Sequence, residues 1–153
     1  MPTICVAHGR VVGGGVGLVA CCDIALAATQ SEFCLPELQL NLIPAIIMPY
    51  LISAIGKRRA QTYALTSKSW DCKQACIDGL IHHSMDIDAL PEYLDTICTT
   101  LFNHAPDIVR RFKRCIAQYA SGEEDLQQTG AVHLAECRAL LEAQQALAPW
   151  MLK

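Results

Sequence analysis

Nowhere in the 153 residues does charge of one sign run on unbroken for more than three residues. Twelve Lys and Arg stand against fifteen Asp and Glu, a formal net charge of −3, and the longest unbroken basic run is Lys57-Arg58-Arg59. Holding a phosphate backbone takes many clustered cations, so no nucleic-acid partner is expected. Long apolar runs are lacking too: Leu42 to Ile55 spans 14 residues and is interrupted by Pro44, Pro49, Tyr50 and Ser53. A bilayer-spanning helix needs ~20 apolar residues, so no membrane span is expected. The N-terminus, Met1-Pro2-Thr3-Ile4-Cys5-Val6-Ala7, has no basic n-region and no cleavage site after a long apolar stretch, and does not read as a secretory signal. A cytoplasmic location is the expectation. The 52% hydrophobic fraction excludes a disordered chain, and the length suits one domain.

Cysteine is plentiful but unpatterned. Nine is an odd count without the spacings of a disulfide framework, and Cys5, Cys21, Cys22 and Cys98 lie in apolar runs, where they read as small buried hydrophobes. Cys72 and Cys76 with His82 and His83 do not match a zinc spacing. The cysteines share a helical pattern, while the histidines follow Gly79 on an extended segment, so no metal site is expected.

Along the chain, Ile4–Ala7 reads as a buried strand ending at His8-Gly9. Gly13-Gly14-Gly15-Val16-Gly17 then leads into a short helix over Leu18–Cys22, and Ile24–Ala28 is a second strand. Ser31–Leu40 has no clear period. Pro44 reads as a first-turn residue of a helix over Ala45–Ile55, which Pro49 must kink or restart. Further helices are expected over Arg58–Leu65 and from an Asp71 cap to Asp78, stopping at Gly79, followed by an extended Leu80-Ile81-His82. The remainder is helical: Pro91–Leu101, Pro106–Tyr119 and Glu123–Ala146, the last begun by the capping box Ser121-Gly122-Glu123-Glu124 and closed by Pro149.

A strand, a glycine run and a helix start place unpaired backbone N–H groups, with partial positive charge, where a ligand oxygen can approach them. Such a site binds phosphate or stabilises an oxyanion. A Walker A loop needs Gly-Lys-Ser/Thr after the last glycine, but Gly17 is followed by Leu18-Val19. For a dinucleotide fold Glu32 lies at a suitable distance, yet five residues between Gly17 and Asp23 are too few for a crossover helix.

The residues themselves resemble a family. His8-Gly9-Arg10-Val11-Val12-Gly13-Gly14-Gly15-Val16-Gly17-Leu18, Cys22-Asp23-Ile24-Ala25 and Phe33-Cys34-Leu35-Pro36-Glu37 look like the signature of the enoyl-CoA hydratase/isomerase (crotonase) family. The match continues through Leu42-Ile43-Pro44-Ala45, Ile55-Gly56-Lys57-Arg58-Arg59-Ala60 and Ala75-Cys76-Ile77-Asp78-Gly79-Leu80-Ile81. Within the family, Gly17-Leu18-Val19-Ala20 and Pro44-Ala45 with Pro49-Tyr50 are most similar to methylglutaconyl-CoA hydratase-like members, with polyketide-pathway dehydratases next.

The resemblance implies an α/β, crotonase-like (ββα) spiral, represented by its C-terminal portion over residues 1–85, followed by a helical trimerisation region over 86–153. It implies water addition to, or removal from, an acyl-CoA thioester through an enolate, with Gly14 supplying one oxyanion N–H, Gly13, Gly14 and Gly15 contacting substrate, and Glu37 as the proton-shuttling carboxylate. The second donor is expected from an Ala-Gly-Ala-Asp-like segment of the preceding part of the fold, so the chain alone is expected to be impaired. Coenzyme A is part of the substrate, and no cofactor or metal is expected. Homo-trimers or hexamers are the expected assembly, with a role in leucine degradation. Where many hydratases of the family carry a second glutamate this chain has Gly17, which leaves hydratase and isomerase chemistry both open. A non-catalytic crotonase remnant or assembly partner is the alternative. His8 reads as structural and Lys57-Arg58-Arg59 as a solvated face or a CoA-phosphate contact. The stripe Leu126, Leu134, Leu141, Leu147 and Trp150 is compatible with a subunit interface or the chain's own core.

Overall fold

The structure, a computed structural model, describes residues 1–121 and 126–151. The chain forms two compact units, Pro2–Leu101 and Phe102–Lys153 together with Met1.

The first unit is built on two small sheets. Strands β1 (Ile4–Ala7), β3 (Ile24–Ala28) and β6 (His83–Met85) run parallel in the order β1-β3-β6, with Ile4 opposite Ile24 and Leu26 opposite His83. In the second sheet β2 (Arg10–Val12) pairs parallel with β4 (Glu32–Cys34), and β5 (Trp70–Asp71) closes on β4 antiparallel. The second turn of the chain therefore lays two strands, β3 and β4, beside β1 and β2 of the first, with a helix between the two turns. This is the expected ββα spiral. Ala25, Leu26 and Ala27 are buried on the central strand, as a strand with neighbours on both sides requires.

Helix α1 (Gly14–Cys21) begins at Gly14, four residues before the expected start. Glycine is a poor helix former, but tertiary contact overrides propensity here: buried Val16 and Val19 face the core that holds Phe33, Leu35 and Leu51. Helix α2 (Met48–Ile55) starts later than expected, and Pro49 lies in its first turn, where a missing N–H breaks no intrahelical bond. Pro49 does not kink the helix, and residues 45–47 form turns instead. Helix α3 (Lys57–Thr66) and helix α4 (Cys72–Asp78) follow the expectation closely. Asp71 Oδ1 accepts from Gln74 N at 2.8 Å, and Gly79 ends α4 at φ 88°. The short strand or extended segment expected at Leu80–His82 is followed by a strand three residues later, β6, while Leu80 and Ile81 are buried in the core. Helix α5 (Leu90–Phe102) packs Leu90, Tyr93 and Ile97 on Leu26 and Ala28.

The buried carboxylate Asp78 links α3 to α4. Tyr63 Oη donates to Asp78 Oδ2, Gln74 Nε2 to Oδ1 at 2.9 Å, and Arg59 Nε lies 2.9 Å from Oδ1. Tyr63 also stacks on Trp70 with ring centroids 3.8 Å apart. Burial first, and then the hydrogen bond to Asp78, push the Tyr63 phenol well above its ordinary value.

The second unit contains α6 (Pro106–Ser121), α7 (Leu126–Ala139) and α8 (Leu141–Met151). The single helix expected over Glu123–Ala146 is divided at Leu140, whose N–H reaches Cys137 O at 3.2 Å in a tightened last turn before Gln144 N opens the next helix on Leu140 O. Pro149 lies within α8, which continues to Met151. The expected capping box falls on residues outside those described, apart from Ser121 at the end of α6. Within the apolar stripe, Leu134 and Leu147 are exposed; the side chains of Leu126, Leu141 and Trp150 lie outside the description.

All nine cysteines are free. Only Cys72 is buried; its Sγ lies 3.1 Å from Ala28 O, and burial raises its thiol above the usual value. Cys5, Cys22 and Cys98 are half-buried. Cys21 is exposed, contrary to its expected burial, because the last turn of α1 turns it outward from the Val16 and Val19 face.

Candidate active site

The glycine bend and the following spiral turn are tied by one hydrogen bond. Gly13 N donates to Cys34 O at 2.9 Å, so the end of β2 is pinned to the end of β4, and Leu35-Pro36 delivers Glu37 next to the bend. Glu37 opens a short 3₁₀ turn, Glu37–Leu40, closed by Asn41 in the left-handed conformation at φ 55°. Its carbonyl accepts from Leu42 N at 2.9 Å, which fixes the backbone from which the carboxyl projects.

Gly13 must be glycine on two grounds. Its φ of 53° with ψ of −116° lies outside the regions open to L side chains, and a Cβ there would sit 2.7 Å from Glu37 Oε1. The carboxyl thus fills the place a side chain would take. Glu37 Oε2 is buried and has no hydrogen-bond partner among the described residues. An unpartnered buried carboxylate oxygen is costly, and a ligand that donates to it removes the cost.

The helix start faces the same place. Val16 N and Gly17 N both turn back to Gly13 O, at 2.9 and 3.4 Å, whereas Gly14 and Gly15, in the first turn of α1, have N–H groups with no intrahelical acceptor. Gly14 is exposed and lines a cleft of about 590 Å³ together with Glu37. The remaining walls are mostly hydrocarbon, from Leu18, Leu42, Ile43, Ile46 and Ile47, together with Tyr50 and Cys21. Among the described residues lining it, Glu37 is the one carboxylate. An apolar-walled cleft with one acid and a free helix-start amide can hold a carbonyl oxygen and move a proton beside it.

Gly17 serves packing. A Cβ there would lie 2.2 Å from Ile47 Cγ2 and 2.6 Å from Ile47 Cβ, so the start of α2 rests directly on α1. No side chain fits at position 17 while Ile47 holds this place.

Of the residues singled out from sequence, Glu37, Gly14 and the bend at Gly13 come together. Gly15 stands behind them, half-buried with Val11 at 3.4 Å from its Cβ direction. Gly13 contributes space for the carboxyl and has its own N–H committed to Cys34. His8 is exposed and does not line the cleft. Lys57 and Arg58 are exposed on α3, and Arg59 is paired with Asp78. Cys72 bonds to backbone carbonyls, His82 Nδ1 accepts from Ala25 N at 3.0 Å, and His83 lies edge-on to Tyr93. Ile47 and Tyr50 are cleft walls that sequence reasoning did not place there.

These features place one carboxylate beside a glycine helix start on a ββα spiral, and the comparisons with known proteins give the family to which that fold belongs. A family model for enoyl-CoA hydratase/isomerase matches residues 1–139, and the chain belongs to that family. It is 34% identical over 110 residues to mevalonyl-coenzyme A hydratase of Aspergillus fumigatus, covering 71% of this chain and 41% of that one. It is also 34% identical over 120 residues to the bacillaene synthase dehydratase PksH of Bacillus subtilis, covering 77% and 43%. The crystal structure of an enoyl-CoA hydratase from Shewanella pealeana superposes with a TM-score of 0.89 at 32% identity, over 98% of this chain and 57% of that one. The chain spans about two-fifths of the length of these curated relatives. No described helix is long and apolar enough to cross a membrane.

Proposed function

We propose that this chain acts on an acyl-CoA thioester, adding or removing water through an enolate whose oxygen is held by the Gly14 amide. In the hydration direction, water oxygen bonds to the third acyl carbon as the C=C electrons move toward the thioester. Glu37 takes one proton from that water and returns it to the second carbon, so the carboxylate ends as it began. Coenzyme A enters as part of the substrate, and the reaction calls for no separate cofactor or metal. One observation carries the reading: Glu37 Oε1 takes up the side-chain place of Gly13, the residue before Gly14, and Gly14, whose amide has no acceptor, lines the same cleft as Glu37. Loss of a single oxyanion donor costs about 10²–10³ in rate, which is the scale at which Gly14 acts.

The finer reading is a methylglutaconyl-type acyl group, with a place in leucine degradation in the cytoplasm. It is supported by the resemblance of Gly17-Leu18-Val19-Ala20 and Pro44-Ala45 to such members. Assembly as a homo-trimer or hexamer through the helical second unit belongs to the same reading. The test is calorimetry and turnover with crotonyl-CoA and 3-methylglutaconyl-CoA, on the wild type and Glu37→Gln. The variant is expected to bind within a few-fold of the wild type while losing turnover. Turnover that survives in Glu37→Gln removes Glu37 from its role, and a wild type that binds neither thioester contradicts the proposal.

A further inference from the structure

Three residues that line the cleft carry a polar group with no hydrogen bond to the described residues: Gly14 through its amide, Glu37 through Oε2 and Tyr50 through its phenol. The first two account for the thioester oxygen and the mobile proton. The third has had no task.

Tyr50 is not a loosely held surface residue. It stands in the first turn of α2, directly before the fully buried Leu51 and three residues after Ile47, whose side chain is seated on Gly17. These two contacts fix α2 against α1, so the ring of Tyr50, 49% exposed, is carried to the cleft wall by a rigid support. Its neighbours on that wall, Ile43, Ile46 and Ile47, are hydrocarbon, and among the described lining side chains the Tyr50 oxygen is the one neutral hydroxyl. A wall that needed only to exclude water would be served by hydrocarbon throughout.

An oxygen atom on the acyl chain that leaves bulk water for this cleft must find a hydrogen-bond partner or incur the cost of burial. With Gly14 facing the thioester oxygen, Glu37 meets the oxygen on the third carbon only through the one proton it exchanges, and a second partner for that oxygen has to come from another element. We infer that Tyr50 is a substrate-contacting specificity residue whose phenol hydrogen-bonds an oxygen on the third acyl carbon, so that the cleft selects 3-hydroxyacyl thioesters over unsubstituted acyl thioesters. The phenol keeps its proton throughout, donating to the substrate oxygen or accepting from its hydroxyl. This inference rests on the acyl-CoA reading above.

The test is calorimetric titration of the whole chain and of Tyr50→Phe with 3-hydroxybutanoyl-CoA, as each enantiomer, and with butanoyl-CoA. A single neutral hydrogen bond predicts that Tyr50→Phe weakens one enantiomer of the hydroxy ligand by about five- to tenfold, while butanoyl-CoA stays within twofold. Equal weakening of both ligands, or of neither, overturns the Tyr50 role and leaves the acyl-CoA reading standing. A wild type that binds none of these thioesters overturns that reading, and the role of Tyr50 with it.

Discussion

A methyl group at Gly13 and one at Gly14 add the same atom to neighbouring residues, yet the geometry assigns them opposite effects. At Gly13 an alanine must adopt φ 53° and ψ −116°, a conformation that costs about 1–3 kcal/mol in a non-glycine residue. Its Cβ also arrives 2.7 Å from Glu37 Oε1, so the carboxyl has to leave the bend. At Gly14 the backbone is helical, nothing lies within 4 Å of the added atom, and alanine gains up to about 1 kcal/mol in helix propensity. Gly13→Ala is therefore expected to be less stable than Gly14→Ala by about 2–4 kcal/mol. In urea that difference moves the unfolding midpoint by about 1 M or more at ordinary slopes for a chain of this size. Far-UV circular dichroism against urea measures it. Because the carboxyl is displaced, Gly13→Ala is also expected to lose turnover as Glu37→Gln does. Equal midpoints for the two alanine variants, or wild-type turnover in Gly13→Ala, would refute the placement of Glu37 against the bend.

The contact of Gly17 with Ile47 predicts a coupled pair: Gly17→Ala alone destabilises by about 1–3 kcal/mol through overpacking, and most of that cost disappears in an Ile47→Ala background, as a double-mutant cycle in urea will read. Additive effects would place Ile47 elsewhere. Asp71→Ala removes the cap on Gln74 N and is expected to cost about 0.5–2 kcal/mol by the same assay, with Asp71→Ser recovering most of it. Folded Tyr63 holds its phenol proton above the value near 10.0 at which an unfolded tyrosine releases it. Stability from this group is full below pH 10 and falls as pH rises beyond it, so Tyr63→Phe should show a shallower alkaline decline than the wild type. An identical decline in both would remove the bond to Asp78 from the account.

Where sequence and structure agree, the signal was local. Asp71 three residues before Gln74 and Gly79 at the end of α4 are chemistry that acts within one turn, and both stand where the pattern put them. The parallel pair Ile4–Ala7 and Ile24–Ala28 announced itself as two apolar runs. Strands β2, β4 and β5 went unread because they are two or three residues long and carry Arg10, Glu32 and Asp71, too short and too polar for any period to show. The start of α1 was missed because a glycine helix start depends on Cys34 reaching back to Gly13 from a later turn of the spiral. Pro49 in its run was compatible with a kink or a restart, and it is the restart that forms, with Pro49 in the first turn once residues 45–47 form turns. The site followed the same division. Glu37 and Gly14 were legible in the motif that carries them, whereas Ile47 and Tyr50 became parts of the cleft only through the packing of α2 on α1.

The claim on which the rest depends is that the amide at Gly14 and the carboxyl of Glu37 receive the same acyl thioester. The most direct measurement is a nitrogen-15 and carbon-13 NMR titration of the chain with butanoyl-CoA, set beside coenzyme A alone. The account predicts that the Gly14 amide and the Glu37 carboxyl carbon shift together, saturating at one ligand concentration, and that coenzyme A without its acyl group leaves both in place. Shifts confined to other residues, or the same shifts with coenzyme A alone, would contradict it.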